Sequence, residues 1–188
     1  MASPPPIIPQ DDFGPNDIHE YSLKEDILRL FKKMGYSIFE ADVVSFWKKR
    51  GNVEINRDLR AGIVTEKVLL LDSAIERSLM RKSYVLYRGL GRVEADKIEE
   101  YLPGQVYIPG QFTSTSRSVK IAYEYTRGKG GIIIEAKTKP DAKGIIFGDI
   151  NYEDEVLLPR RVQFKILDIV HEVDDMSNFI TRYICEVE

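Results

Sequence analysis

Three carboxylates in a row, Glu153-Asp154-Glu155, stand directly before the apolar run Val156-Leu157-Leu158. Side chains alternate across a strand, so if Glu155 opens one, Glu153 and Glu155 share a side and Asp154 takes the other. Two carboxylates on one side can divide labour: one stabilises a cation while the other handles a proton or a nucleophile. Two further clusters extend this chemistry. Arg88 ends the strand-like run 83–88 just before Gly89, and an arginine fork in a cleft can clamp a phosphate through two hydrogen bonds. Ser114-Thr115-Ser116 follows Phe112-Thr113 and supplies hydroxyls that can fix a carboxylate rotamer. Together the set suits a substrate with a pyrophosphate and a sugar centre that becomes an oxocarbenium ion. Taken singly, each cluster has a plainer reading: a strand-end arginine in solvent, a polar strand edge and a solvated acidic turn.

The elements that must position these residues fall into two blocks. Ser22-Leu23-Lys24-Glu25 has the capping-box pattern, and Leu23, Ile27, Leu30, Phe31 and Met34 recur at helical spacing up to Gly35. Ser37-Ile38-Phe39-Glu40 repeats the box, and the stripe Phe39, Val43, Phe46 and Trp47 is expected to stop at Gly51. A third helix is expected over about 65–80, on Val68, Leu69, Leu71, Ala74, Ile75 and Leu79. Strand-like runs follow at 83–88, 131–136, 143–147, 155–158, 162–170 and 180–187, with short helices expected at about 93–101 and 119–125. Helices first and strands afterwards predict an α+β fold with mainly antiparallel sheets. Residues 1–20, rich in Pro and Asp, read as a flexible N-terminal arm. Residues 21–188 then form a single domain, helical over about 21–82 and β-rich over about 83–188. Trp47 reads as helix-face core, Lys48-Lys49-Arg50 as a solvated helix end, Cys185 as a buried small residue and His171 as structural.

Composition narrows the function. The chain has 188 residues, enough for one self-sufficient domain. The balance of 27 Lys+Arg against 30 Asp+Glu gives a net charge of -3, which argues against nucleic acid as the partner. One cysteine excludes an internal disulfide, and two histidines leave little for a histidine-rich zinc site. No apolar run reaches the ~18 residues of a membrane span. The opening MASPPPIIPQDDFGP lacks the apolar core and basic flank of a standard secretion signal.

In order and spacing, Tyr87-Arg88-Gly89, Phe112-Thr113-Ser114-Thr115-Ser116 and Glu153-Asp154-Glu155-Val156-Leu157-Leu158-Pro159 resemble the Arg, Ser-Thr-Ser and Glu-x-Glu motifs of mono-ADP-ribosyltransferases. The nearest branch is that of the bacterial toxins, with the binary actin-modifying toxins and the Rho-modifying exoenzymes. The stretch 131–170 also resembles that family's C-terminal strands, and the likeness extends over about 65–188. It implies N-terminal helices packed on two mainly antiparallel β-sheets, and NAD as co-substrate with no metal required. Arg88 would bind the NAD phosphate and ribose, and the Gly89 backbone would lie near the nicotinamide. Ser114 would orient Glu155, while Thr115 and Ser116 would shape the pocket wall. Glu155 would bind the nicotinamide ribose and stabilise its positive charge. Glu153 would position the acceptor and help remove its proton. Tyr125 and Arg127 are favoured over Tyr123 for embracing NAD, and Tyr152 is a candidate for touching a protein target.

In this family a Glu at position 153 accompanies arginine acceptors, so the first expectation is a mono-ADP-ribosyltransferase that modifies arginine on a protein such as actin or a small GTPase. It would be a monomeric toxin or effector, secreted or delivered into the cytoplasm of a target cell. Arg88 stands where the chain-forming branch carries a His, which argues against polymer synthesis. The alternatives are an NAD glycohydrolase, transfer to another acceptor, or a non-catalytic binding module on the same fold.

Overall fold

Ser37 sets the start of the helix that carries one wall of the cleft. The structure, a computed structural model, describes residues 5–10, 24–126, 131–148, 153–173 and 178–188. After α1 (Lys24–Lys33), α2 (Ile38–Phe46) opens on the expected capping box: Ser37 Oγ accepts from Glu40 N at 3.2 Å and Glu40 Oε2 accepts from Ser37 N at 2.8 Å. The corresponding box at Ser22 lies outside the described residues.

The expected stop at Gly51 does not occur. The helix passes through a π-turn, Trp47–Gly51, directly into α3 (Asn52–Arg60). Gly51 is required there for room: a Cβ would lie 2.4 Å from Phe46 Cδ1 and 2.8 Å from Phe46 O. A π-turn inserts one residue into the helix and rotates the residues beyond it, and such turns concentrate at functional sites. This one aims Trp47 and Lys48 into the molecule.

The third expected helix is shorter than its pattern. α4 (Glu66–Glu76), capped by Thr65, gives way to β2 (Ser78–Met80), so Leu79 belongs to a strand. The switch is anchored by buried polar contacts. Ser78 Oγ donates to Ala74 O at 2.6 Å. The Arg77 guanidinium donates to Glu40 Oε2 at 2.7 Å and to Gly35 O and Pro6 O at 3.0 Å. β2 pairs in parallel with β1 (Ile8–Gln10), so part of the stretch expected to be a flexible arm is a strand. Its residues are held at both ends: Ile8 is core, and buried Gln10 donates to Tyr36 Oη (3.0 Å) and accepts from Ile146 N (3.2 Å).

Burial pushes the Glu40 carboxyl up, but the Ser37 and Ser73 hydrogen bonds and the Arg77 charge outweigh it and hold it below the usual carboxylate range. Its contribution to stability is therefore complete above the unfolded-state value and is lost as pH falls through the lower folded one. Arg77→Ala leaves this carboxylate buried without its cation. We expect a loss of about 3–5 kcal/mol in urea unfolding at pH 7, and a smaller loss once acid has protonated Glu40.

The remaining elements are β3 (Val85–Leu90), α5 (Arg92–Ile98), β4 (Val106–Tyr107), β5 (Thr113–Ser116), α6 (Val119–Thr126), β6 (Gly131–Lys137), β7 (Ile145–Gly148), β8 (Glu155–Leu158), β9 (Phe164–Val173) and β10 (Phe179–Val187). The large sheet runs β4-β9-β10-β6-β3-β5-β8-β7, antiparallel except for β10 against β6. β3 meets β5 through one registered pair, Tyr87↔Ser116. The expected two sheets are thus a five-stranded part and a three-stranded part hinged at that pair. Alternation along β8 places Leu157 in the core under the helices, with Phe31, Trp47 and Phe147, and Val156 and Leu158 in the core beneath the five-stranded part. Glu155 shares the Leu157 side and so faces the helices.

Candidate active site

A cleft of about 1140 Å³ lies between the π-turn and α3 on one side and β3, α5, β5 and β8 on the other. Arg88, Gly89, Ser114, Thr115, Ser116, Tyr125, Glu153 and Glu155 all border it. Residues scattered over 88–155 are therefore brought to one place. Arg127 and Tyr152 lie outside the described residues.

Glu155 opens β8 and is only 5 % exposed. Its Oε1 accepts from Ser114 Oγ at 2.5 Å and from Trp47 Nε1 at 3.3 Å. Its Oε2 accepts from Lys48 Nζ at 2.7 Å. A carboxylate oxygen has two lone pairs. Oε1 is thus saturated by the protein, and Oε2 keeps one acceptor position for a substrate hydroxyl. Ser114 can reach because it and Glu155 lie on the same face of the antiparallel pair β5–β8.

Glu153 precedes the strand on a tight turn. Asp154 has φ 46° and its carboxylate pairs with Arg117 Nε at 2.8 Å, away from Glu153. Asp tolerates this left-handed conformation better than most residues. Ser116 Oγ donates to Glu153 O at 2.7 Å and ties the turn to β5. The Glu153 side chain, 37 % exposed, accepts from Lys48 Nζ at 2.5 Å on Oε2 and from Tyr125 Oη at 2.8 Å on Oε1. Alternation thus holds: Glu153 and Glu155 meet at one ammonium. Burial pushes Glu153 up, but the Lys48 hydrogen bond and charge and the Tyr125 hydroxyl outweigh it and hold it below the usual carboxylate range. Burial first, then the bond to Glu153, pushes the Tyr125 phenol up to about 12, so it remains a donor at neutral pH.

Arg88, on β3, is not the solvent-facing strand end of its plainer reading. One guanidinium nitrogen donates to Ser114 O at 2.7 Å, and the other to both Glu94 oxygens at 2.9 and 2.8 Å. Gln111 Nε2 also donates to Glu94, at 2.7 Å, and Arg60 donates to Gln111 Oε1 at 3.0 Å. The relay fixes α5 against the cleft. Gly89 is needed because α6 lies directly on β3: a Cβ there would sit 2.0 Å from Ala122 O. This packing turns Tyr125 to the cleft. Tyr123, two residues earlier, faces Glu172 and Arg182 on the sheet instead. Thr115 and Ser116 border the cleft with hydroxyls already engaged, Thr115 Oγ1 by Val156 O at 2.7 Å.

Sequence reading missed Trp47 and Lys48. Trp47 fitted an apolar stripe, and it does pack edge-on against Phe112, 5.7 Å between centroids. Lys48 looked like part of a solvated cationic helix end, yet its side chain is 1 % exposed. Gly51, in a helix whose pattern does not end there, was the available signal.

Comparisons with known proteins agree with this architecture. The family model for the ADP-ribosyltransferase exoenzyme matches residues 30–186. No curated protein matches the sequence. Among solved structures, Plx2a, an ADP-ribosyltransferase toxin from Paenibacillus larvae, superposes with a TM-score of 0.64 at 20% identity over 88% of this chain and 96% of its own. An ADP-ribosyltransferase from Clostridium botulinum gives 0.61 at 19% identity over 94% and 98%. Exoenzyme S from Pseudomonas aeruginosa, solved with human 14-3-3 protein beta and Carba-NAD, gives 0.65 at 20% identity over 89% and 83%. The fold is that of the ADP-ribosyltransferase toxins. The family match runs from α1 to β10 and takes in every element that walls the cleft, so the chain belongs to the ADP-ribosyltransferase exoenzyme family.

Proposed function

We propose that this protein is an NAD-dependent mono-ADP-ribosyltransferase that moves ADP-ribose to an arginine side chain of a target protein and releases nicotinamide. The observation that carries the reading is the fixed pair: Glu155 locked through Oε1 with Oε2 facing the cleft, and the more exposed Glu153 beside it. Glu155 Oε2 accepts a ribose hydroxyl, and its charge faces the positive charge that grows on the ribose as nicotinamide leaves. Preorganised charge facing developing charge is commonly the largest single catalytic contribution. Bond cleavage runs ahead of attack, and the acceptor adds to the opposite face of the ribose. Glu153 pairs with the incoming guanidinium and takes its proton as the new bond forms. A guanidinium has a pKa above 12 and is otherwise a poor nucleophile.

Arg88 holds the NAD phosphate and ribose, and Tyr125 and Arg127 embrace the dinucleotide. Gly89, Thr115 and Ser116 complete the pocket wall, and Tyr152 meets the target. Arg88→Lys keeps the charge but loses the planar fork. We expect KM for NAD to rise about tenfold or more with a smaller change in kcat, measured by nicotinamide release. Family membership supports a toxin or effector that acts on a protein in the cytoplasm of a target cell, as a monomer and without a metal.

One observation favours a second reading, NAD hydrolysis. The Lys48 ammonium already engages Glu153 Oε2, where an acceptor guanidinium would bind. Incubation with labelled NAD, with and without agmatine as a small guanidine, decides between them. ADP-ribosyl-agmatine supports the transferase. Free ADP-ribose alone in the presence of agmatine moves the reading to a glycohydrolase or another acceptor. Absence of both turnover and NAD binding points to a binding module.

A further inference from the structure

Lys48 is a charged side chain inside the cleft that the proposed chemistry does not use. Its Nζ lies 2.5 Å from Glu153 Oε2 and 2.7 Å from Glu155 Oε2, over the Phe147 ring at 5.5 Å from its centroid. Burying an ammonium is costly, and a lysine with its side chain 1 % exposed persists only where carboxylates surround it. A purely packing role would be served by an apolar side chain of the same length. We propose that Lys48 is a built-in counter-cation and positioning residue that keeps Glu153 and Glu155 ionised at the same time, which the division of labour between them requires.

The physical argument concerns what the two carboxylates do without it. Like charges sharing a site cannot both ionise near neutral pH, and such a pair retains one proton. That proton would disable either the charge facing the ribose or the base for the acceptor. With the ammonium on both Oε2 atoms, the trio carries one net negative charge with both carboxylates deprotonated.

The other groups around the trio do not supply that cation. From α6, the Tyr125 hydroxyl donates to Glu153, and Glu124 lies close enough to act on Tyr125 as a further negative charge. From β5 comes the neutral Ser114 hydroxyl, and from the π-turn the neutral Trp47 indole. Arg88 on β3 is engaged by Glu94 and Ser114 O, and Asp154 is paired with Arg117 beside the turn. Lys49 also borders the cleft, but the ammonium that bonds both carboxylates is that of Lys48.

The inference rests on the transferase reading for its consequence, but its test also has a readout independent of turnover. In the first arm, the pH dependence of kcat/KM for NAD consumption is compared for wild type, Lys48→Met and Lys48→Arg. The acid limb should move up by about one pH unit or more in Lys48→Met, with at least tenfold lost activity at pH 6, and Lys48→Arg should return toward wild type. A folded Lys48→Met with the wild-type profile overturns the proposal. In the second arm, wild-type protein with carbon-13 glutamate is titrated by NMR. Both carboxyl signals should be deprotonated at pH 6. A proton on either overturns the proposal, even if Lys48→Met does not fold. Lack of NAD turnover by the wild type strikes the transferase reading alone, and the NMR arm then decides this one.

Discussion

Glu155→Gln is expected to remove nicotinamide release and ADP-ribose transfer together, each by about 10³-fold or more, with the fold retained. Removing one preorganised group that faces a developing charge costs about 10²–10³ in rate, and this replacement does more than neutralise. Ser114 Oγ and Trp47 Nε1 both donate to Oε1, so they select the amide rotamer that presents its oxygen to them. The amide NH2 then points at Lys48 Nζ, donor against donor, and away from accepting a ribose hydroxyl. The variant therefore loses the charge, the substrate acceptor and the counter-ion contact at once. Circular dichroism and the melting temperature check that the protein is folded. Loss of transfer with hydrolysis intact would assign the ribose-facing charge to another residue.

Glu153→Gln is expected to separate the two activities. Transfer to a guanidine should fall by about 10²–10⁴-fold, the usual contribution of a general base, while nicotinamide release stays within about tenfold of wild type. Glu153 is the more exposed of the pair and sits on the turn, not in the strand, so it is available to an acceptor that arrives from solvent. Tyr125 and Lys48 still reach the amide oxygen, so the pocket keeps its shape. What is lost is the negative charge that pairs with a guanidinium and takes its proton. High-performance liquid chromatography of free ADP-ribose and the agmatine adduct reads both numbers from one reaction.

The carboxylate half of the site was legible in the sequence because strand alternation is a strict local rule. Once Glu155 opens β8, Glu153 must share its side, and both do reach one ammonium. Ser114 and Arg88 became legible only as an ordered set with that pair, since each alone is an ordinary strand residue. The helical wall was hidden. Where Trp47 and Lys48 point depends on the π-turn, and the phase of a helix after an inserted residue cannot be taken from a 3.6-residue pattern. Strand β1 was hidden for a different reason. Gln10 is buried only because Tyr36 and Ile146, distant in sequence, satisfy its amide, so nothing local to the Pro-rich stretch announces it. The same holds at Leu79, where an apolar helical pattern continues past the point at which Arg77 and Ser78 end the helix through contacts to Glu40 and Ala74.

The measurement that bears most directly on the central claim is the ratio of ADP-ribosyl-agmatine to free ADP-ribose formed from labelled NAD by wild type and by Glu153→Gln under identical conditions. The account predicts adduct from the wild type, and free ADP-ribose with almost no adduct from the variant. An unchanged ratio, with both products reduced in equal proportion, would contradict the division of labour between Glu153 and Glu155.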